Sequence, residues 1–129
     1  MNFPEELKYA KTHEWMKPEG DIIVVGLSDY AQQQLTDIIF ADLPAKAGGH
    51  FDAGAEVCSV ESVKAVGYIY APIAGTLVEV NEVLKSEPEK LNQDPYGAAW
   101  LYKIKPDEPQ KTVELMSAQE YQAFLDTLG

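Results

Sequence analysis

Short apolar runs separated by turn residues dominate the chain. Asp21-Ile22-Ile23-Val24-Val25-Gly26-Leu27 and Asp37-Ile38-Ile39-Phe40-Ala41-Asp42 are rich in β-branched residues and read as strands. Glu56 to Val60, Tyr68 to Tyr70, Thr76 to Val80 and Trp100 to Ile104 read the same way. Between them Pro44, Gly48-Gly49, Asp52-Ala53-Gly54, Pro72 to Gly75 and Asp94-Pro95-Tyr96-Gly97 mark turns. Strands this short, at this spacing, predict a sandwich or barrel. Helical signals are fewer. Ser28 can N-cap a short helix through Leu35, and a second helix is expected around Glu87 to Leu91. The clearest signal is terminal. Ser117-Ala118-Gln119-Glu120 has the spacing of a capping box, and Tyr121, Phe124, Leu125 and Leu128 then share one helical face before Gly129. That stripe is expected to pack onto the sheet. A weak internal echo relates Ala47-Gly48-Gly49 with Glu56-Val57 to Ala74-Gly75-Thr76-Leu77-Val78, as two halves folded about a pseudo-twofold would.

Composition narrows the picture. At 129 residues the chain is read as one domain, residues 1–129, with room for a modest core. Acidic residues number 21 against 10 basic, a net charge of −11. Such a surface repels phosphates and anionic lipid, so neither nucleic acid nor membrane is an expected partner. It suits proteins that carry basic patches. Cys58 is the only cysteine, which excludes an internal disulfide and fits a reducing compartment. Its place in Val57-Cys58-Ser59-Val60 predicts burial. The opening Met1-Asn2-Phe3-Pro4-Glu5-Glu6 does not read as a presequence, and no run is apolar enough to span a bilayer. The expectation is a cytoplasmic protein.

Candidate chemistry concentrates at one amine. Lys64 lies in Glu61-Ser62-Val63-Lys64-Ala65, between two β-prone runs, with Gly67 close behind and the Pro72 to Gly75 turn after the second run. This order presents a lysine at the tip of a β-hairpin, where a modifying enzyme can reach it. The unperturbed amine has a pKa of about 10.4, so acylation needs an enzyme that recognises the hairpin and deprotonates the lysine. A long carboxylic-acid cofactor joined to this stem becomes a swinging carrier, held at high effective concentration near successive active sites. Other constellations fail. His13 and His50 have no partners at metal-ligand spacing, no serine sits in a G-x-S-x-G elbow, and Gly48-Gly49 lacks the lysine of a phosphate loop. Nothing forms a self-sufficient active site.

From about Tyr9 to the terminal helix the chain resembles the H protein family of the glycine cleavage system. The matching stretches are Lys11-Thr12-His13-Glu14-Trp15, Val25-Gly26-Leu27-Ser28-Asp29-Tyr30-Ala31-Gln32, Asp37-Ile38-Ile39-Phe40 with Leu43-Pro44, and Glu61-Ser62-Val63-Lys64-Ala65. Ile69-Tyr70-Ala71-Pro72, Glu79-Val80-Asn81 and Asp94-Pro95-Tyr96-Gly97 with Trp100-Leu101 continue the match. The resemblance implies a mainly β fold: a barrel-sandwich hybrid of the lipoyl/biotinyl-carrier, hammerhead kind, with short helices and a C-terminal helix. It also implies lipoic acid in amide linkage to Lys64, with Glu61, Ser62, Val63 and Ala65 as the recognition hairpin. Biotin carriers usually flank their lysine with methionines, whereas Val63 and Ala65 stand here.

The resemblance further implies a non-catalytic shuttle. Its lipoyl arm takes an aminomethyl group from glycine decarboxylase (P protein) and passes it to aminomethyltransferase (T protein). Dihydrolipoamide dehydrogenase (L protein) then reoxidises the arm. A lipoyl-attaching enzyme is a further partner, and the carrier is expected to be a monomer. In the family the loaded arm folds into a surface cleft, to which Glu14 and Thr12 of this chain correspond. Read from residues alone, Glu14 is a strand-end surface charge.

One departure stands out. The family usually places an aspartate four positions after the lysine; this chain has Tyr68, a neutral phenol, in the possible arm cleft, preceded by Gly67, which permits φ > 0. Tyr68 is compatible with a working H protein. That is the leading reading; the second is a divergent H-like carrier serving lipoyl relay or another thiol-disulfide partner. An unmodified paralogue acting as a binding or structural protein is a third reading.

Overall fold

The computed structural model describes residues 1–128. Nine strands and four α-helices run in the order β1 (Lys8–Tyr9), β2 (Glu14–Glu19), β3 (Ile22–Leu27), α1 (Asp29–Leu35), β4 (Ile38–Asp42), β5 (His50–Phe51), β6 (Glu56–Ser62), β7 (Val66–Tyr70), β8 (Gly75–Val80), α2 (Val83–Ser86), α3 (Lys90–Gln93), β9 (Tyr102–Pro106) and α4 (Ala118–Asp126), with a 3₁₀ turn at Pro109–Glu114 before α4. The strands form two antiparallel sheets. One has the order β1-β2-β3-β9-β8-β5, the other β4-β6-β7. The sandwich reading holds, and no closed barrel forms among the described residues.

Strand β3 explains the central layer. Its run Ile22–Leu27 is buried along nearly its whole length because the sheet is covered on both faces. Val25 and Leu27 point into the main core between the sheets, with Val60, Ile69, Leu77, Tyr102 and Ile104. Val24, one residue out of phase, joins Trp15, Tyr9, Leu7, Tyr121 and Leu125 in a second core under the terminal helix. There the Tyr9 and Tyr121 rings stack 4.8 Å apart.

The expected elements are present with shifted bounds. Helix α4 starts at the predicted capping box, with Ser117 Oγ accepting from Glu120 N–H and the Glu120 carboxylate accepting from Ser117 N–H. Tyr121 and Leu125 are buried, whereas Leu128, beyond the end of α4, is half exposed; Gly129 lies outside the described residues. The helix expected at Glu87 to Leu91 is two single turns instead, α2 and α3, because Pro88 cannot continue the first. The last strand begins at Tyr102 rather than Trp100. The echo segments meet each other: Gly48 N–H donates to Leu77 O at 2.9 Å, Leu77 N–H to Gly49 O at 2.8 Å, and β5 pairs antiparallel with β8. No helix of the described residues is long and apolar enough to cross a membrane.

Candidate functional site: the lysine hairpin and its cleft

The β6–β7 turn holds Lys64 at its exposed tip. Ser62 ties the turn together. Its N–H donates to Ala65 O at 2.8 Å, and its Oγ accepts from Ala65 N–H at 3.0 Å and from Lys64 N–H at 3.3 Å. Val63 N–H donates to Asp37 O at 3.1 Å, which pins the tip to the start of β4. Lys64 therefore projects from a braced turn. Glu61, Val63 and Ala65 are exposed beside it, as a recognised surface requires, but Ser62 is buried and shapes the turn from within. The flank is apolar: Ile39, Phe40, Val63 and Val66 are all about half exposed or more.

A cleft of about 290 Å³ runs beside β7, lined by Thr12, His13, Leu27, Tyr30, Ala31, Gln34, Leu35, Gly67 and Tyr68. It is the seam where the end of α1 meets β7, an edge strand of the three-stranded sheet. Gly67 makes the seam tight: a Cβ there would lie 2.9 Å from Leu35 Cδ1. Its backbone is not in the left-handed region, so closeness to α1, rather than the φ freedom expected from the sequence, is what glycine supplies. The structure thus brings Thr12 and Tyr68 together at the cleft, with Tyr68 half exposed.

Glu14 is not the surface charge its sequence position suggests. It is fully buried, accepting from Thr12 Oγ1–H on one carboxylate oxygen and from Tyr70 N–H at 3.1 Å on the other. It links β2 of one sheet to the edge strand β7 of the other. No carboxylate lines the cleft itself among the described residues. Burial raises the Glu14 pKa, outweighing the hydrogen bonds from Thr12 and Tyr70 that act to lower it. The native state therefore holds this proton more tightly than the unfolded chain does. As pH rises from about 4.3, where an unfolded glutamate titrates, through the raised native value, the wild type is expected to lose stability relative to Glu14→Gln, with no further divergence above it. Urea unfolding midpoints of both proteins across that range check this; parallel curves would contradict it.

Sequence reasoning missed His13, Leu27, Tyr30, Ala31, Gln34, Leu35 and Gly67 as cleft residues. The one available signal was the helical spacing of Tyr30, Gln34 and Leu35 in a short capped helix. Cys58 is buried as expected, and burial pushes its thiol well above the ordinary range. Among the described residues no group of three His, Cys, Asp or Glu side chains is placed to hold a metal.

The fold thus offers one exposed lysine on a braced hairpin beside a cleft, in a two-sheet β-sandwich. The glycine cleavage H-protein family model matches residues 7–128. Relatives named glycine cleavage system H protein include one from Acinetobacter baylyi, 48% identical over 97% of this chain and 100% of its own length. Another, from Thermus thermophilus, is 46% identical over 98% of both chains. The crystal structure of a glycine cleavage system H protein from Mycobacterium marinum superposes with a TM-score of 0.82 at 35% identity, covering 94% of this chain and 97% of the other. The chain belongs to the glycine cleavage H-protein family. Its role is that of the system's non-catalytic lipoyl carrier.

Proposed function

We propose that lipoate is carried in amide linkage on Lys64, and that residues 1–129 act as a single carrier domain between glycine decarboxylase, aminomethyltransferase and dihydrolipoamide dehydrogenase. The observation that carries this reading is the braced hairpin: one exposed amine, fixed by Ser62 and Asp37, within a few residues of a cleft. The residues present fit such an arm. Leu27, Ala31 and Leu35 offer the cleft an apolar wall for a hydrocarbon chain, and Tyr30, Tyr68 and His13 offer ring faces suited to sulfur. When attached, the group supplies a disulfide that takes up the aminomethyl unit and hands it on. The chain's own residues do the rest: Ser62 presents the lysine, Glu61, Val63 and Ala65 mark it for the attaching enzyme, and the cleft of Thr12 and Tyr68, with buried Glu14 holding the Thr12 hydroxyl, receives the arm. A monomer in a reducing cytoplasm completes the reading; the lone thiol, Cys58, lies out of reach of exchange.

One observation favours a second reading, an H-like carrier for lipoyl relay or another thiol-disulfide partner: no carboxylate lines the cleft to meet an ammonium. Two measurements decide. After co-expression with a lipoyl-attaching enzyme, peptide mass mapping is expected to place one lipoyl group on Lys64; no added mass would favour the unmodified paralogue. The lipoylated protein is then expected to support glycine–bicarbonate exchange with its cognate glycine decarboxylase. Lipoylation without exchange would hand the case to the second reading.

A further inference from the structure

His13 sits where the cleft meets the terminal helix. Its backbone is left-handed, at φ 77°, a conformation uncommon outside glycine. Its N–H donates to Ala10 O at 2.9 Å and its carbonyl accepts from Ser28 N–H at 2.9 Å, so the ring is held between α1 and α4. The groups facing it are Tyr30 from α1, with rings 4.8 Å apart, Tyr121 and Phe124 from α4, Lys11 and Thr12 beside it in the chain, and Tyr68 across the cleft. Glu14 follows it but turns inward.

The hydrogen-bond chain behind the ring sets its tautomer. Ser28 Oγ, fully buried, accepts from Ala31 N–H at 3.2 Å as the N-cap of α1 and lies 2.7 Å from the Tyr121 hydroxyl. That hydroxyl lies 2.8 Å from His13 Nδ1. If Tyr121 donated to Ser28, the buried serine hydrogen would have no acceptor. Both hydroxyl hydrogens find one only when Ser28 donates to Tyr121 and Tyr121 donates to Nδ1. The remaining hydrogen then lies on Nε2, which has no protein partner among the described residues and is not sealed from solvent. Burial also lowers the His13 pKa, which keeps the ring neutral near pH 7.

We infer that His13 is a hydrogen-bond donor to the reduced arm, its Nε2–H stabilising a dihydrolipoyl thiolate in the cleft, with Tyr121 and Ser28 as the positioning residues that fix the donor. This rests on Lys64 carrying the lipoyl group. The thiol gives its proton to solvent; the imidazole keeps its own. A charge-assisted bond of this kind lowers a thiol pKa and so raises the thiolate fraction at neutral pH. It assigns the cleft a task in the reoxidation of the arm, one that requires no carboxylate.

The test is the pH profile of alkylation of the reduced, lipoylated protein by iodoacetamide, with the unlipoylated Lys64→Ala chain as the baseline for Cys58. His13→Asn tolerates the left-handed backbone and removes the imidazole. It is expected to shift the profile to higher pH and to slow alkylation at pH 7 about threefold, in line with the loss of one such bond. Tyr121→Phe leaves the ring in place but frees its tautomer, and is expected to shift the profile in the same direction by less. A folded, lipoylated His13→Asn protein with the wild-type profile would overturn the inference while leaving the Lys64 assignment standing. A Tyr121→Phe protein with the wild-type profile would overturn the positioning chain. Absence of a lipoyl mass on Lys64 would overturn the inference and the reading beneath it together.

Discussion

Lys64→Arg is expected to remove the lipoyl mass and all glycine–bicarbonate exchange while leaving the thermal midpoint within a few degrees of wild type. Arginine keeps the positive charge and much of the stem. Its guanidinium stays protonated throughout the accessible pH range and cannot supply the free amine that acylation requires. The structural cost is small because Lys64 is exposed and no side-chain contact of its own braces the hairpin. The turn is held by Ser62 and by the Val63–Asp37 bond, all through groups the substitution leaves alone. Surface changes of this kind lie within about 0.5 kcal/mol. Intact mass, exchange assay and a melt together check it. A lipoyl mass surviving on Lys64→Arg would move the attachment to another lysine.

Trp15→Ala is expected to be the most destabilising single truncation of the second core, by about 3–5 kcal/mol, lowering the melting midpoint by roughly 10–20 °C. Trp15 is almost fully buried, and its indole lies flat on Gly26 of the neighbouring strand, where a Cβ would come within 2.5 Å of the ring. Since Gly26 has no side chain to move into the vacated space, the cavity cannot relax from that side. The indole N–H also donates to Pro95 O at 2.9 Å, tying β2 to the loop before β9, and the Tyr96 ring lies 6.0 Å away. Removing the indole leaves that carbonyl to find water. Calorimetry or urea unfolding measures the loss; a cost under about 1 kcal/mol would mean that the second core repacks more freely than this geometry allows. The neighbouring Glu14 shares the strand, so its bonds to Thr12 and Tyr70 are expected to loosen with it.

How far the site was legible can be traced residue by residue. Lys64 was readable because its signal is local: a lysine between two β-prone runs makes a hairpin whatever packs elsewhere. The terminal helix was readable for the same reason, its capping box and its stripe lying within a dozen residues. Strand β2 was missed because Lys17, Pro18 and Glu19 break any alternation, although Pro18 is compatible with a strand that pairs with β3 through the Gly20-Asp21 turn. The loss mattered, since β2 carries Glu14 and Trp15. The burial of Glu14 had no local signal at all. A carboxylate next to a histidine reads as surface, and it takes the Thr12 hydroxyl together with Tyr70 N–H, brought in by β7 from the second sheet, to make an interior position tolerable.

By itself, then, the order of residues determined the strand-rich class, the capped terminal helix, and the single amine offered on a hairpin, because each depends on neighbours in sequence. Family membership could be recognised from motifs spread along the chain, since those motifs survive without knowledge of their contacts. The cleft was decided by the tertiary structure alone. Thr12, His13, Leu27, Leu35 and Tyr68 come from four separate segments, and they meet because the end of α1 meets an edge strand that a glycine at position 67 lets it approach. The direction of the Ser28–Tyr121–His13 hydrogen bonds belongs to that level too: it follows from burying a serine hydroxyl between elements 93 residues apart, a constraint no local pattern encodes.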